Sequence, residues 1–250
     1  MTRSPLAHAI ALVRGGAYSV LATLFFIAIT LPLLWVFLLP PDRTRWMFHA
    51  WASADLWLLR VLCGQRVALR GRENIPTGPA LVASKHQAAF ETLALVPMLP
   101  RGAIIIKKEL AQIPLYGAYA KHYGMIPVDR SAGAAALKQL AVDAKDRIEK
   151  GFQIVIFPEG TRQAVGAPPE YKPGTLFLYD KLKVPLVPVA LNSGVFWPRD
   201  SFARYPGTIV VSFLPPIPAG EPRNTVQARL IDAIETETAA LVAEATRPQD

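Results

Sequence analysis

The chain has little from which to build a cross-linked or metal-centred site. Its one cysteine, Cys63, excludes an internal disulfide and suits a reducing compartment. Four histidines, His8, His49, His86 and His122, are scattered without metal-ligand spacing, so neither a metal nor any other cofactor is expected. No internal repeat is visible. Charge is sparse as well, at 18% of residues against 52% hydrophobic, and none occurs between Arg14 and Asp42. What charge there is leans one way: a formal +8 directs the surface toward anions such as nucleic acid, acidic lipid or an acidic carrier protein. The cations sit at the ends of apolar runs rather than along one helix or among exposed aromatics, which argues against nucleic acid.

The uncharged gap holds "AYSVLATLFFIAITLPLLWVFLL", residues 17–39, a run of 23. As one helix it would be roughly 35 Å long against a hydrocarbon core of about 30 Å. It lacks the small-residue cleavage site of a signal peptide, so an uncleaved anchor is expected. Pro32 predicts a kink, and the Trp-rich stretch that follows, "RWMFHAWASADLWLLRVLCG", suits a membrane interface. A full crossing and a hairpin dipping into one leaflet are both open. Residues 1–64 are assigned to this membrane-anchoring segment and 65–250 to a catalytic-size domain.

Beyond the anchor, seven apolar runs predict strands at 67–70, 80–84, 103–107, 125–128, 153–157, 185–191 and 208–213. Several lack polar alternation, as expected of strands covered on both faces. Helical periodicity covers 134–150 and 225–245. The expected class is α/β, a mixed, largely parallel sheet of about seven strands flanked by helices. The Pro- and Gly-rich segment 163–175 is expected to be a loop, either an ordinary one or a lid or wall beside the site.

Candidate chemistry begins at "HQAAFE", where His86 stands five residues before Glu91. On an uninterrupted helix that spacing separates the two by about 140°. At a strand-to-helix turn, a carboxylate in the first helical turn can reach back as in a capping box and orient the imidazole as a general base. Alone, such a pair fits a helix cap equally well. "FPEGTR", 157–162, follows another apolar run and adds Glu159, to hold Arg162 or accept a substrate hydroxyl, Gly160 for close backbone approach, the Thr161 hydroxyl and the Arg162 fork. Lys107 and Lys108 follow the third strand and Arg130 the fourth. The set suits a phosphorylated, hydroxyl-bearing ligand.

Four blocks in order, "HQAAFE", "GMIPVDR", "FPEGTR" and "VPVAL", make the chain resemble the glycerolipid acyltransferases, most nearly the bacterial lysophosphatidate acyltransferases, over residues 67–215. It departs from that pattern in having Glu91 where the family block has Asp. The resemblance implies that His86 takes the proton from the sn-2 hydroxyl of a lysophosphatidate acceptor and Glu91 orients the ring. It implies that Arg130, Arg162 and Lys108 hold the phosphate while Glu159, Gly160 and Thr161 shape the pocket. The donor would be acyl carrier protein or acyl-coenzyme A, and amides after His86 would stabilise the oxyanion. The setting would be membrane phospholipid, the inner membrane with the domain facing the cytoplasm. Two alternatives stand: acylation of another acceptor, such as a lyso-ornithine lipid or other lysophospholipid, and a non-catalytic binder of anionic lipid.

Overall fold

The computed structural model describes residues 4–247, apart from the side chain of Arg130. Its frame is one seven-stranded sheet, β1 (Gln65–Arg70), β2 (Ala80–Ser84), β3 (Gly102–Lys107), β4 (Ile126–Val128), β5 (Gln153–Ile156), β6 (Leu186–Leu191) and β7 (Gly207–Phe213), in the order β1-β7-β6-β2-β5-β3-β4. Every pairing is parallel except β6 with β7. All seven expected strands are present, with ends shifted by two residues at most.

The pleat sends alternate side chains into two cores. Val82, Ile104, Val155 and Val187 face one layer, and Leu81, Ile105, Ile154 and Leu186 face the other. The second layer comprises α5 (Gly133–Glu149), α6 (Gly174–Leu182) and α8 (Arg223–Thr246). The first includes α1 (Pro5–Thr30), α2 (Pro41–Cys63), α3 (Phe90–Met98) and α4 (Tyr116–His122). A single-turn helix, α7 (Ser193–Phe196), completes the set. Cover on both faces explains why the strands carry continuous apolar runs.

The N-terminal region corrects one expectation. Residues 17–39 do not form one 23-residue helix. The helix instead starts at Pro5, capped by Ser4 Oγ accepting from Ala7 N at 3.3 Å, and stops at Thr30. Pro32, which lacks an N–H and crowds the preceding turn, terminates it rather than kinking it. The remaining apolar residues fold back as a 3-10 turn, Leu34–Leu38, whose Val36 is buried with Tyr119 and Tyr123. Prolines 40 and 41 start α2, and Gly64 closes it in the left-handed region at φ 68°. Contacts pairing Arg14 with Cys63, Tyr18 with Asp55 and Phe26 with Trp51 make α1 and α2 an antiparallel hairpin.

Helix α1 is long and apolar enough to cross a membrane, and many large apolar side chains on the hairpin face outward, among them Leu6, Val13, Leu24, Trp46 and Trp57. A surface of that kind suits contact with a membrane. The hairpin's inner face packs on α3 and encloses, with β3 and α4, a cavity of about 250 Å³ lined by Phe26, Trp51, Leu93, Ile104, Tyr116 and Trp197.

A carboxyl group faces that cavity. Asp55 is buried, accepts from Tyr18 Oη at 3.2 Å, and has an Oδ1 with no partner. Burial pushes its carboxyl from the ordinary 3.8 up to about 6, a shift the Tyr18 hydrogen bond only partly offsets. A raised carboxyl pKa means that folding opposes ionisation. The cost is absent below about pH 4, grows up to about pH 6 and stays constant above. Asp55→Asn is therefore expected to stabilise the fold by roughly 2–3 kcal/mol at pH 8 and negligibly at pH 4. Thermal melts of both proteins across that range check it; a gap independent of pH would contradict it.

Candidate active site

The residues singled out by the sequence fall along one edge of the sheet. Strands β2, β5, β3 and β4 are consecutive and parallel, so their carboxyl ends align. His86 follows β2, "FPEGTR" follows β5, Lys108 follows β3 and Arg130 follows β4. Three strand spacings of about 4.8 Å put some 14 Å between the first and last of these strands. The edge is where open parallel sheets place their ligands.

His86 sits between β2 and α3 with its ring stacked on Phe157, centroids 4.0 Å apart. The Nδ1 atom is buried against Glu91, 3.6 Å from Oε2. That is beyond hydrogen-bond range, so the carboxylate faces the ring without bonding to it. Nε2 is thereby left as the ring nitrogen available to a substrate.

Glu91, wholly buried, does more than face the ring. Its Oε1 accepts from Gln87 N and Ala88 N, both at 3.0 Å, and from Ser193 Oγ, while Oε2 accepts from Ala88 N at 3.1 Å. The carboxylate closes the turn after His86 as a capping box would and ties it to the end of β6. The same bonds revise the oxyanion expectation, because the first two amides after His86 are already engaged by Glu91.

Behind the histidine lies a buried ionic cluster the sequence reading missed. Lys85 is 3% exposed and its Nζ lies 2.6 Å from Glu159 Oε1 and 2.8 Å from Glu235 Oε1. Glu159 Oε2 accepts from the backbone N–H of His86 at 3.0 Å, and Tyr171 Oη donates to Glu235 at 2.8 Å. Burial pushes the Glu159 carboxyl up, and the Lys85 contact opposes this. Glu159 thus points inward to Lys85 and not outward to Arg162. A lysine directly before His86, at the end of an apolar strand, was the available signal.

Other members depart from their expected partners. Gly160 has φ 69° in a turn closed by its N–H to Phe157 O at 2.9 Å. A Cβ there would meet only Lys172 Cγ at 3.5 Å, so the glycine answers to its backbone conformation rather than to close approach. Thr161 is exposed, and Arg162 pairs with Asp200 at 3.2 Å. Lys108 is exposed and pairs with Asp129 at 2.6 Å, which with Ser131 holds the Asp129 carboxyl down to about 2. Arg130 begins the turn after β4; its side chain lies outside the described residues. Val187–Leu191 are buried sheet core.

Loop 163–173 forms a wall. Gln163 N donates to His86 O at 2.8 Å, Lys172 N to Pro158 O at 2.8 Å, and Tyr171 anchors it to α8. On the other side, Ala89 and Thr92, just after His86, line the apolar cavity. The edge therefore presents one accessible imidazole nitrogen, a guanidinium on the turn after the neighbouring strand, and an adjoining apolar chamber. Proton transfer on an amphiphile with an anionic head is chemistry this arrangement can perform.

Comparison with known proteins agrees. A family model described as Acyltransferase matches residues 66–192. The chain is 38% identical over 187 residues to a 1-acyl-sn-glycerol-3-phosphate acyltransferase of Pseudomonas aeruginosa, covering 75% of this chain and 70% of that one. To the human 1-acyl-sn-glycerol-3-phosphate acyltransferase alpha it is 29% identical over 163 residues, covering 64% of this chain and 58% of the relative. Its fold matches the crystal structure of the 1-acyl-sn-glycerophosphate acyltransferase of Thermotoga maritima with a TM-score of 0.74, at 21% identity, over 93% of this chain and 99% of that one. With the family model spanning half of the sequence and its three charged blocks following strands along one sheet edge, the chain belongs to the acyltransferase family.

Proposed function

We propose that the protein transfers an acyl group from an acyl thioester to the sn-2 hydroxyl of 1-acyl-glycerol-3-phosphate, giving phosphatidic acid. The observation that carries the reading is the meeting of His86 Nε2, backed by Glu91, with the Arg162 loop and an apolar cavity at one edge of the sheet. His86 removes the hydroxyl proton as the oxygen attacks the thioester carbonyl, and the thiolate leaves with a proton. Glu91 stabilises the imidazolium and fixes the turn that carries it. Arg162, Arg130 and Lys108 bind the acceptor's phosphate, Lys108 after exchanging Asp129 for it. Glu159 acts through Lys85 and the His86 amide, while Gly160 and Thr161 shape the turn that presents Arg162.

Residues 1–64 serve as the membrane-anchoring segment and 65–250 as the acyltransferase domain. The hairpin lies in the interface of the inner membrane, with the catalytic edge on the cytoplasmic side where thioester donors are available. Membrane phospholipid surrounds the acceptor, and an apolar chain enters the cavity through the wall next to His86. The +8 surface suits both anionic lipid and an acidic donor, whether acyl carrier protein or coenzyme A.

The test crosses acyl carrier protein and coenzyme A thioesters with lysophosphatidate, lyso-ornithine lipid and a zwitterionic lysophospholipid. Phosphatidate formed at a kcat/KM well above that of the other acceptors is the expected result. Preference for an acceptor without phosphate, or no thioester consumption with any pair, would overturn the reading.

A further inference from the structure

Two arginines reach one carboxylate, each at a different oxygen. Asp200 Oδ1 accepts from Arg162 Nη2 at 3.2 Å, and Asp200 Oδ2 accepts from Arg199 Nε at 2.9 Å. A third guanidinium is close: Arg204 is buried, stacks 3.7 Å over the Trp197 ring, and its charge opposes that of Arg162. Positive charge at this point exceeds the one carboxylate that meets it. We infer that Arg199 is a further phosphate-binding arginine of the acceptor site, beside Arg162, and that Asp200 is a built-in surrogate anion which the acceptor's phosphate displaces.

The chemistry of exchange favours the phosphate. A carboxylate presents two oxygens and one charge; a phosphate monoester presents three oxygens and nearly two charges, enough to engage both forks at once. The ion pairs to be broken are solvent-exposed, with side-chain exposures of 38% for Arg162, 42% for Arg199 and 63% for Asp200. Exposed pairs hold weakly and yield at little cost.

The loop bearing Arg199 and Asp200 is also fixed in place. At one end Trp197 lines the apolar cavity. At the other, Arg204 N donates to Ala11 O at 3.0 Å, and Phe202 O lies where a Cβ on Gly15 would approach within 1.7 Å. The loop is thus seated on α1, so headgroup clamp and apolar chamber keep a set spacing. Asp200 itself has φ 57°, a conformation that Asn tolerates as readily as Asp. Asp200→Asn therefore removes the charge while keeping the backbone.

This inference rests on the acceptor reading above and specifies its phosphate site. Steady-state kinetics of Arg199→Gln and Asp200→Asn, with lysophosphatidate and with the phosphate-free 1-acylglycerol as acceptors, test it. Arg199→Gln is expected to raise KM for lysophosphatidate about tenfold, the loss of one charged hydrogen bond, with little change in kcat. Asp200→Asn is expected to lower that KM several-fold, and neither variant to alter KM for 1-acylglycerol. Unchanged KM for lysophosphatidate in both variants, or equal shifts with both acceptors, would overturn the clamp while leaving the acyltransferase reading intact. A wild-type protein that does not acylate lysophosphatidate would instead overturn that reading, and the clamp with it.

Discussion

Replacing His86 with Ala is expected to lower kcat for acyl transfer by about 10³-fold while leaving the thermal midpoint close to that of the wild type. General base assistance by a positioned side chain contributes about 10²–10⁴-fold. The neighbouring Lys85 does not take its place, since its ammonium is turned away into the cluster with Glu159 and Glu235. The stability half of the expectation follows from the ring's few polar contacts. Its Nδ1 has no hydrogen-bond partner, and the bonds that hold the turn are made by the His86 backbone and by Glu91. Alanine keeps the backbone bonds and gives up the stacking on Phe157. Steady-state rates with lysophosphatidate and a thermal melt of the same preparation check both halves. Activity within threefold of the wild type would remove His86 from the chemistry.

Lys85→Met is expected to act in the opposite way, on the fold first and on activity through it. The ammonium is 3% exposed and faces two carboxylates, one of them fully buried. Methionine fills the volume but leaves Glu159 without its counter-charge in a place where burial already raises its carboxyl pKa. Removing one member of a buried ionic group typically costs about 3–5 kcal/mol, because the desolvation already incurred is no longer repaid by attraction. Glu159 would take up a proton or turn toward water, and the His86 amide would lose an acceptor that is now 3.0 Å away. Chemical denaturation should show the loss. A double variant, Lys85→Met with Glu159→Gln, is expected to recover a good part of it by removing the stranded charge. A Lys85→Met protein as stable as the wild type would mean that the cluster is weakly coupled to folding.

The strands were legible because a sheet covered on both faces writes unbroken apolar runs, as in "ALVAS" and "QIVIF". Their spatial order was not, since nothing local in β5 records that it inserts between β2 and β3. That insertion is what sets the "FPEGTR" turn beside His86. The position of these residues at strand ends was therefore readable, whereas their partnerships were not. Glu159 meets Lys85 instead of Arg162, and Arg162 meets Asp200, a residue 38 positions away in a loop with no pattern of its own. The N-terminal run misled for a related reason. Averaged hydropathy does not register that Pro32 ends a helix, nor that Tyr119 and Tyr123 offer Val36 a buried seat within the protein. Glu91 faces His86 across 3.6 Å, but its bond to Ser193 depends on a residue 102 positions downstream, which no local pattern announces.

At the centre of the account is direct transfer: the acceptor's own oxygen, deprotonated at His86, attacks the thioester, and no acyl group ever resides on the protein. Rapid-quench measurement of free thiol from the acyl thioester, with and without lysophosphatidate, addresses this most directly. The account predicts no thiol release beyond the uncatalysed rate without the acceptor, and one phosphatidate per thiol with it. A stoichiometric burst of thiol in the absence of acceptor, accompanied by an acyl group bound to the protein, would contradict it.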